Sequence, residues 1–213
     1  MKSKASLAHA EEVNVDWLLV IMGFLCGSIP FGYCAGRLKG IDIRQTGSGN
    51  IGATNVFRAL GKKWGIGVLL ADIIKGYFPV WMALRTENVG IPHDAFVVCV
   101  GMAALLGHTF TPFLKFKGGK GVATSTGALL AMMPLALGIT AIVWGMMLAI
   151  FRYVSLASIF AAIVLPILAA LFYREQMWFV GVGAVMGILV IVRHRANIQR
   201  LLAGTENRLG KKP

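Results

Sequence analysis

Long stretches without a single charged side chain dominate this sequence of 213 residues. Five such runs cover residues 17–36, 95–114, 121–151, 153–173 and 176–192. A bilayer core about 30 Å thick needs about 20 consecutive apolar residues per helix, and four of the five runs reach that length. Charged residues make up only 14% of the chain, against roughly 25% in soluble domains, so a soluble fold could not bury this apolar surface. The sequence therefore predicts an all-α, polytopic integral membrane protein.

The number of spans depends on the long run at 121–151. As one helix it would be about 46 Å long, which exceeds the thickness of the bilayer core. Pro134 lies near its middle, where a helix breaks or kinks. We therefore divide the run into two short helices, near 121–133 and 135–150. With a further span at 64–84, which two charged residues interrupt, the prediction is seven transmembrane helices.

The distribution of charge orients these helices. The segments predicted to be cytoplasmic hold 16 basic and two acidic residues, and they are 37–63, 115–120, 152–153 and 193–213. The segments predicted to lie outside hold four basic and six acidic residues, and they are 1–16, 85–94 and 174–175. Basic residues concentrate on the cytoplasmic side of membrane proteins. The N-terminus is thus predicted outside and the C-terminus in the cytoplasm.

This orientation divides the chain into three parts. Residues 1–16 form an extracytoplasmic extension, and because Glu11 and Glu12 precede the first apolar run we expect no cleaved signal peptide. Residues 17–193 form the membrane domain, which carries cytoplasmic loops at 37–63 and 107–124. Residues 194–213 form a cytoplasmic interfacial segment. The formal net charge of +12 is explained by anionic lipid headgroups and an anionic ligand, without nucleic acid.

The first of three polar clusters on the cytoplasmic side is RQTGSGNIGATNVFR at 44–58. Its glycines, Gly49 among them, free the backbone to approach a ligand closely. Its small polar side chains offer uncharged hydrogen-bonding groups, namely Ser48, Asn50, Thr54 and Asn55. If a helix begins near Asn50, Asn55 and Arg58 share one face. A helix start with an arginine nearby suits phosphate binding. The alternative is a flexible linker between two helices.

The second cluster is FLKFKGGKGVAT at 113–124. It lacks the spacing of a P-loop, but Gly118, Gly119 and Gly121 permit an anion-binding nest. Lys117 and Lys120 supply positive charge, and the N-terminus of the following helix would point to the same place. We favour an anion site over a basic interfacial turn, because such a turn would not require three glycines in four positions.

The third cluster is RHRANIQRLLAGTE at 193–206. Ile198, Leu201 and Leu202 form an apolar edge at helical spacing, which predicts an interfacial helix. His194 and Asn197 lie three residues apart and can face one ligand together. The alternative for this cluster alone is a stop-transfer cap with a solvated histidine.

Two charged residues lie within the predicted span at 64–84. Asp72 and Lys75 are three apart, and ionisable groups at this depth are normally paired and turned inward. We predict an internal pair rather than a proton or substrate pathway, with a contact from Lys75 to the cytoplasmic pocket as an alternative. The four histidines and three cysteines show no metal-ligand spacing, so no metal site is predicted.

Together the three clusters resemble the motifs of one family. The runs are GSGNIGATN at 47–55, GHTFTPFLKFKGGKGVAT at 107–124 and HRANIQRLLAGTE at 194–206. They are similar, in the same order, to the motifs of the acyl-phosphate:glycerol-3-phosphate acyltransferases of the bacterial inner membrane, the PlsY type. The resemblance spans residues 28–206, and His-x4-Asp, the motif of the other glycerolipid acyltransferase family, is missing.

The resemblance implies a reaction. A fatty acyl group would pass from acyl phosphate to the sn-1 hydroxyl of glycerol 3-phosphate, giving 1-acyl-glycerol 3-phosphate (lysophosphatidic acid) and phosphate. This is the first step of bacterial phospholipid synthesis, with the active site at the cytoplasmic face of the inner membrane. Acyl-CoA and acyl carrier protein are not the implied donors. Apart from membrane lipids and the two substrates, neither a cofactor nor an obligate protein partner is expected.

The resemblance and the chemistry together suggest roles. The catalytic candidates are His194, Asn197, Ser48 and Arg58. The glycerol 3-phosphate candidates are Ser48, Gly49, Asn50, Thr54, Asn55, Arg58, Lys120, Ser158, His194 and Asn197. The acyl phosphate candidates are Lys117, Gly118, Gly119, Lys120 and Gly121. Structural roles fall to Glu206, Asp72 and Lys75, and Ser155 is a weaker candidate beside Ser158.

The identity of the base and the function both stay open at this stage. The base that removes the hydroxyl proton is either His194 or the phosphate of the acceptor. A multi-pass transporter of phosphate or an organic anion is the alternative function, supported by the helix count and by Asp72 and Lys75. A noncatalytic lipid-binding or partner-binding scaffold is a third possible function, supported only by the basic interface.

Overall fold

The computed structural model describes residues 17–87 and 90–210, and every regular element among them is helical. The predicted extension at 1–16 lies outside the described residues. The chain divides into two compact units, unit 1 up to Met132 and unit 2 from Met133 onwards.

Unit 1 begins with a helix whose described part is 17–28. Its helices are α1 (17–28), α2 (Phe31–Leu38), α3 (Ala53–Leu60), α4 (Lys62–Ala83), α5 (His93–Thr109) and α6 (Val122–Met132). Pro30 separates α1 from α2, since proline disfavours helical geometry in the residue before it. Gly61 separates α3 from α4 with a φ of +88°, in the region that glycine adopts without strain.

The helices of unit 1 pack at close range through glycines. A Cβ on Gly127 of α6 would collide with the carbonyl of Ile73 in α4, and one on Gly27 of α1 would collide with the backbone of Ala104 in α5. Helices in membranes associate through such small residues, because lipid provides no hydrophobic drive between them. The packing therefore fixes α4 against α6 and α1 against α5.

Unit 2 consists of helices α7 (Pro134–Phe151), α8 (Val154–Phe172), α9 (Met177–Arg193) and α10 (Arg195–Leu202). The division of the long apolar run at Pro134 is confirmed, because α6 ends at Met132 and α7 begins with this proline. Proline is favoured in the first helical turn, where its missing N–H would have no helical acceptor. The bend between α9 and α10 is 57°.

Helix lengths support a membrane protein without settling seven spans. Among the described residues, five segments are long and apolar enough to cross a bilayer: Trp17–Leu38, which contains α1 and α2, Lys62–Ala83, His93–Leu114, Pro134–Phe151 and Val154–Phe172. A sixth is added if α9 and α10 count as one bent span. Helix α6 has 11 residues, which is about 17 Å and roughly half of the bilayer core. Large apolar side chains cover the outer faces, among them Ile142, Ile150, Leu171 and Ile188, as expected of surfaces that contact lipid.

Candidate active site

The first loop, residues 46–52, is shaped by the buried side chain of Asn55. Its Oδ1 accepts the N–H of Ser48 at 2.9 Å, and its Nδ2 donates to the carbonyls of Ile43 at 3.1 Å and Thr46 at 2.9 Å. Only 2% of Asn55 is exposed. Asn55 therefore holds the loop from within, whereas the sequence suggested a side chain directed at the ligand.

Two glycines give this loop its path. Gly47 and Gly49 have φ values of +59° and +69°, which side chains with a Cβ rarely adopt. The side-chain oxygen of Asn50 accepts the N–H of Gly52 at 2.8 Å, just before α3 begins at Ala53. Helix α3 thus starts three residues later than the position considered from sequence. Ser48 lies exposed on the loop as a result.

Arg58 lies on α3, one turn beyond Asn55, and its side chain is exposed. Ahead of the first loop in sequence, Asp42 accepts hydrogen bonds from both the backbone N–H and the guanidinium of Arg44. These hydrogen bonds lower the pKa of the Asp42 carboxyl to about 2. Asp42 is therefore ionised and bound to Arg44 at neutral pH.

The second loop, residues 117–121, joins α5 to α6 and does not form the predicted nest at its first two glycines. The N–H of Gly118 donates to the carbonyl of Thr109, and that of Gly119 donates to the carbonyl of His108, each at 3.1 Å. Both N–H groups are thus directed at the end of α5, not at a bound anion. A Cβ on Gly118 would collide with the His108 carbonyl, and one on Gly119 with the His108 imidazole.

The end of the second loop retains features that suit an anion. Gly121 has a φ of +85° and its carbonyl accepts the first helical hydrogen bond of α6, from the N–H of Ser125 at 2.7 Å. The first-turn N–H groups of α6 therefore follow directly after two lysines. Lys117 is exposed and Lys120 is half-buried.

In unit 2, His194 lies at the bend between α9 and α10 and is only 3% exposed. Its Nδ1 is 2.7 Å from the carbonyl oxygen of Val190. A carbonyl only accepts hydrogen bonds, so Nδ1 carries the hydrogen. In a neutral imidazole the lone pair is then on Nε2.

Glu206 gathers three side chains of unit 2. Its Oε1 accepts from Asn197 Nδ2 at 2.7 Å and from Ser155 Oγ at 2.8 Å, and its Oε2 accepts from Arg200 Nε at 2.7 Å. Burial raises the pKa of this carboxyl, but the three hydrogen bonds outweigh it and the pKa is lowered. The structural role expected of Glu206 from sequence agrees with these contacts, which include an ion pair with Arg200.

The two serines of α8, Ser155 and Ser158, make different contacts from those that the sequence suggested. Ser158, which the sequence analysis proposed for glycerol 3-phosphate, donates to the carbonyl of Val154 at 2.8 Å and accepts from Trp144 Nε1 at 3.2 Å. Ser155, the weaker candidate, contacts Glu206 instead. Helical spacing could not separate them, because the partner of Ser155 lies 51 residues further along the chain.

Within the described part of the chain, no group of three His, Cys, Asp or Glu side chains could hold a metal ion.

A sequence profile of the family described as glycerol-3-phosphate acyltransferase matches residues 17–204. The chain belongs to the glycerol-3-phosphate acyltransferase family. Membership establishes the reaction class, which is acyl transfer to glycerol 3-phosphate, and confirms the enzyme predicted from sequence.

Similar members of the family span nearly the whole chain. The glycerol-3-phosphate acyltransferase of Geobacter sulfurreducens is 49% identical and covers 91% of this chain and 97% of its own length. That of Gloeobacter violaceus is also 49% identical, with 92% and 98% covered. The acyltransferase of Aquifex aeolicus is 46% identical, with 89% and 97% covered.

Two solved structures share this fold. The crystal structure of PlsY (YgiH), an integral membrane glycerol 3-phosphate acyltransferase, in its glycerol 3-phosphate form has a TM-score of 0.85 and 43% identity. Its lysophosphatidic acid form has a TM-score of 0.82 and 42% identity. Each alignment covers 92% of this chain and 96% of that chain. Together with its apolar helices, this likeness identifies the chain as a membrane protein.

Proposed function

We propose that the acyl donor is acyl phosphate and that the acceptor is the sn-1 hydroxyl of glycerol 3-phosphate. The products are then 1-acyl-glycerol 3-phosphate and inorganic phosphate, in the first step of phospholipid synthesis. Glycerol 3-phosphate as acceptor is supported by the solved relative in its glycerol 3-phosphate form. The donor is supported by the second loop, where Lys117 and Lys120 precede the start of a helix.

The reaction needs no covalent enzyme intermediate. The hydroxyl oxygen attacks the acyl carbonyl carbon, a new C–O ester bond forms, and the bond between that carbon and the phosphate oxygen breaks. The electron pair leaves with phosphate, and the hydroxyl proton passes to a base. Acyl phosphate is already activated, so the enzyme's contribution is to position the two substrates and to stabilise the charge on the departing phosphate.

His194 carries the proposal for the acceptor. Because Nδ1 is bound to the Val190 carbonyl, Nε2 is the atom that accepts the hydrogen of the sn-1 hydroxyl. Asn197 lies one turn away in α10, with its amide directed by Glu206. The two residues thus orient the acceptor from a buried, pre-arranged part of unit 2.

The residues proposed for glycerol 3-phosphate fall into two groups. Those proposed to contact it are Ser48, Gly49, Asn50, Thr54, Arg58, Lys120, His194 and Asn197. Asn55 and Ser158, which the sequence placed among the contacting residues, have structural roles instead. Asn55 holds the first loop, and Ser158 forms a hydrogen bond within α8. Ser155 is added to the residues of the acceptor site, because its hydroxyl and the amide of Asn197 both bind Glu206.

The residues proposed for acyl phosphate are those of the second loop. Lys117 and Lys120 provide charge for the leaving phosphate, and Gly121 leads into the first turn of α6, whose N–H groups favour an anion. Gly118 and Gly119 serve by packing the loop against α5, as their hydrogen bonds to Thr109 and His108 indicate.

The membrane placement follows the distribution of charge. We place the active site at the cytoplasmic face of the inner membrane, with seven spans, the N-terminus outside and the C-terminus inside. The excess of basic residues in the sequence segments 37–63, 115–120, 152–153 and 193–213 supports this orientation. No obligate protein partner is included in the proposal.

The test compares donors with purified protein in lipidic mesophase. Phosphate release and lysophosphatidic acid formation are measured with palmitoyl phosphate, palmitoyl-CoA or palmitoyl-acyl carrier protein, each with and without glycerol 3-phosphate. We expect product only from palmitoyl phosphate, in equal amounts with phosphate and only when the acceptor is present. Product formation from palmitoyl-CoA at a higher kcat/KM than from palmitoyl phosphate would refute the proposed donor.

A further inference from the structure

Two charged side chains are buried inside α4 of unit 1. Asp72 Oδ1 and Lys75 Nζ are 2.8 Å apart, and neither side chain is more than 4% exposed. Lys75 Nζ also donates to the carbonyl of Ile29 at 2.7 Å and lies 5.5 Å from the centre of the Phe31 ring. The internal pair predicted from sequence therefore forms, and it ties α4 to the start of α2.

Stability alone does not account for such a pair. Ionisable groups at membrane depth are costly, and they are commonly found where function requires them. Replacing both partners of a buried ion pair with neutral residues of similar volume is often neutral or even stabilising. The contacts that surround Asp72 and Lys75 therefore indicate what the pair does.

Asp72 lies next to His108, the residue against which the second loop packs. Asp72 Oδ1 is 3.8 Å from His108 Nδ1, and the histidine is buried. The opposite edge of the ring adjoins Gly119 so closely that a Cβ there would collide with Nε2. The backbone of His108 also accepts the N–H of Gly119. His108 thus holds the loop with both its carbonyl and its ring, and Asp72 is adjacent to that ring.

Helix α4 also meets the other end of the second loop. Gly76, the neighbour of Lys75, packs against Thr124 so closely that a Cβ would collide with the Thr124 carbonyl. Thr124 is fully buried in the first turn of α6, directly after the loop. One turn of α4 therefore contacts the loop's supports on both sides, His108 before it and the start of α6 after it.

We propose that Asp72 and Lys75 are positioning residues that fix the second loop through His108, and so set where the donor phosphate lies. Lys75 is anchored on the Ile29 carbonyl and holds Asp72, and Asp72 keeps the His108 ring against Gly119. Neither residue touches a substrate. The inference about the donor rests on the proposed function of the second loop.

The test uses the double variant Asp72→Asn/Lys75→Met, which removes both charges and preserves side-chain volume. The control is Arg174→Met/Glu175→Gln, which removes an ion pair at 3.3 Å that is more than 80% exposed. Like the buried pair, it contains one positive and one negative charge, so neither double variant changes the net charge. Amide hydrogen exchange of residues 117–121 is measured by mass spectrometry in detergent. The KM values for acyl phosphate and glycerol 3-phosphate and the Tm are measured on the same preparations.

We expect exchange in the second loop at least tenfold faster and a KM for acyl phosphate at least tenfold higher. The KM for glycerol 3-phosphate should rise by a smaller factor, because Lys120 is the one residue of this loop proposed to contact the acceptor. The control should match wild type in all of these. Unchanged loop exchange in a folded double variant would overturn the inference. Faster exchange with an unchanged KM for acyl phosphate would support the positioning role and refute donor binding by this loop.

A second variant covers the case in which the double variant does not fold. His108→Gln leaves the buried ion pair in place and removes only the ring that Asp72 holds against Gly119. It should accelerate exchange of the Gly118 and Gly119 amides at least tenfold. An exchange rate equal to that of wild type would overturn the inference on its own.

Discussion

Replacing Glu206 with alanine should destabilise the part of unit 2 that carries Asn197. The carboxylate accepts hydrogen bonds from Asn197, Ser155 and Arg200 at 2.7–2.8 Å, and its side chain is only 4% exposed. Alanine takes this acceptor away from all three donors at once.

The magnitude follows from those contacts. A buried donor that loses its acceptor costs about 1–3 kcal/mol, and we assign about 1.5 kcal/mol each to Asn197 and Ser155. Arg200 is 35% exposed, so its contribution is below about 1 kcal/mol. The expected loss is about 3–4 kcal/mol, which for a chain of this length lowers the Tm by about 10 °C.

The assay follows tryptophan fluorescence of the purified protein on heating in detergent. Glu206→Gln keeps one acceptor oxygen and should lose about half as much in Tm as Glu206→Ala. The matched control is Glu175→Gln, because Glu175 is 82% exposed and its ion pair is peripheral. A Tm for Glu206→Ala within about 2 °C of wild type would refute the reasoning.

The pH dependence provides an independent check of the same carboxylate. Burial raises the pKa of Glu206, but its hydrogen bonds hold it below the ordinary value of 4.5. A folded-state pKa below the unfolded one means that ionised Glu206 contributes its full stability above about pH 4.5. That contribution is lost as the pH falls through the folded-state pKa. The Tm difference between wild type and Glu206→Gln should therefore shrink on acidification, and a constant difference would contradict this.

Three further predictions concern the site and its orientation. His194→Gln should lower kcat/KM about 10²-fold if Nε2 is the base, since glutamine forms hydrogen bonds but accepts no proton near neutral pH; substantial activity, measured as phosphate release, would favour proton transfer to the acceptor's own phosphate. Gly119→Ala should raise the KM for acyl phosphate at least tenfold, about 1.4 kcal/mol, because its Cβ would collide with His108; a KM within twofold of wild type in the folded variant would show that the loop tolerates the shift. A cysteine at Lys63 should react only with reagents added from the cytoplasm and one at Thr86 only from outside, and the reverse pattern would refute the orientation.

The helices could be predicted from sequence because their cause is local. Runs without charge define the apolar segments, and a proline in the middle of the longest run predicted the break that the structure shows at Pro134. The pair of Asp72 and Lys75 was predictable for the same reason, since residues three apart on a helix are neighbours. The number of transmembrane spans was harder, because α6 is too short for composition alone to decide whether it crosses the bilayer.

The roles of individual site residues depended on contacts between distant segments. Asn55 has the composition of a ligand-binding residue, yet its amide is directed at the carbonyls of Ile43 and Thr46, 12 and 9 residues away. Ser155 and Ser158 are equivalent in sequence pattern, and only Glu206 separates them. A motif thus indicates which segment matters, but tertiary packing determines whether a polar side chain faces a ligand or holds the backbone that does.

The two units hold their site residues by different means, and this difference affects how variants should be interpreted. In unit 1 the second loop is held by backbone hydrogen bonds to α5 and by glycines with no room for a Cβ, so each substitution displaces the loop locally and by a different amount. In unit 2 one carboxylate holds Asn197, Ser155 and Arg200 together. Effects of changing these residues should not add, because each removes part of one shared network. The activity losses of Gly119→Ala and Asn197→Ala therefore have different structural causes, a displaced loop in the first and a disrupted hydrogen-bond network in the second. Measuring the Tm together with the KM distinguishes these two causes.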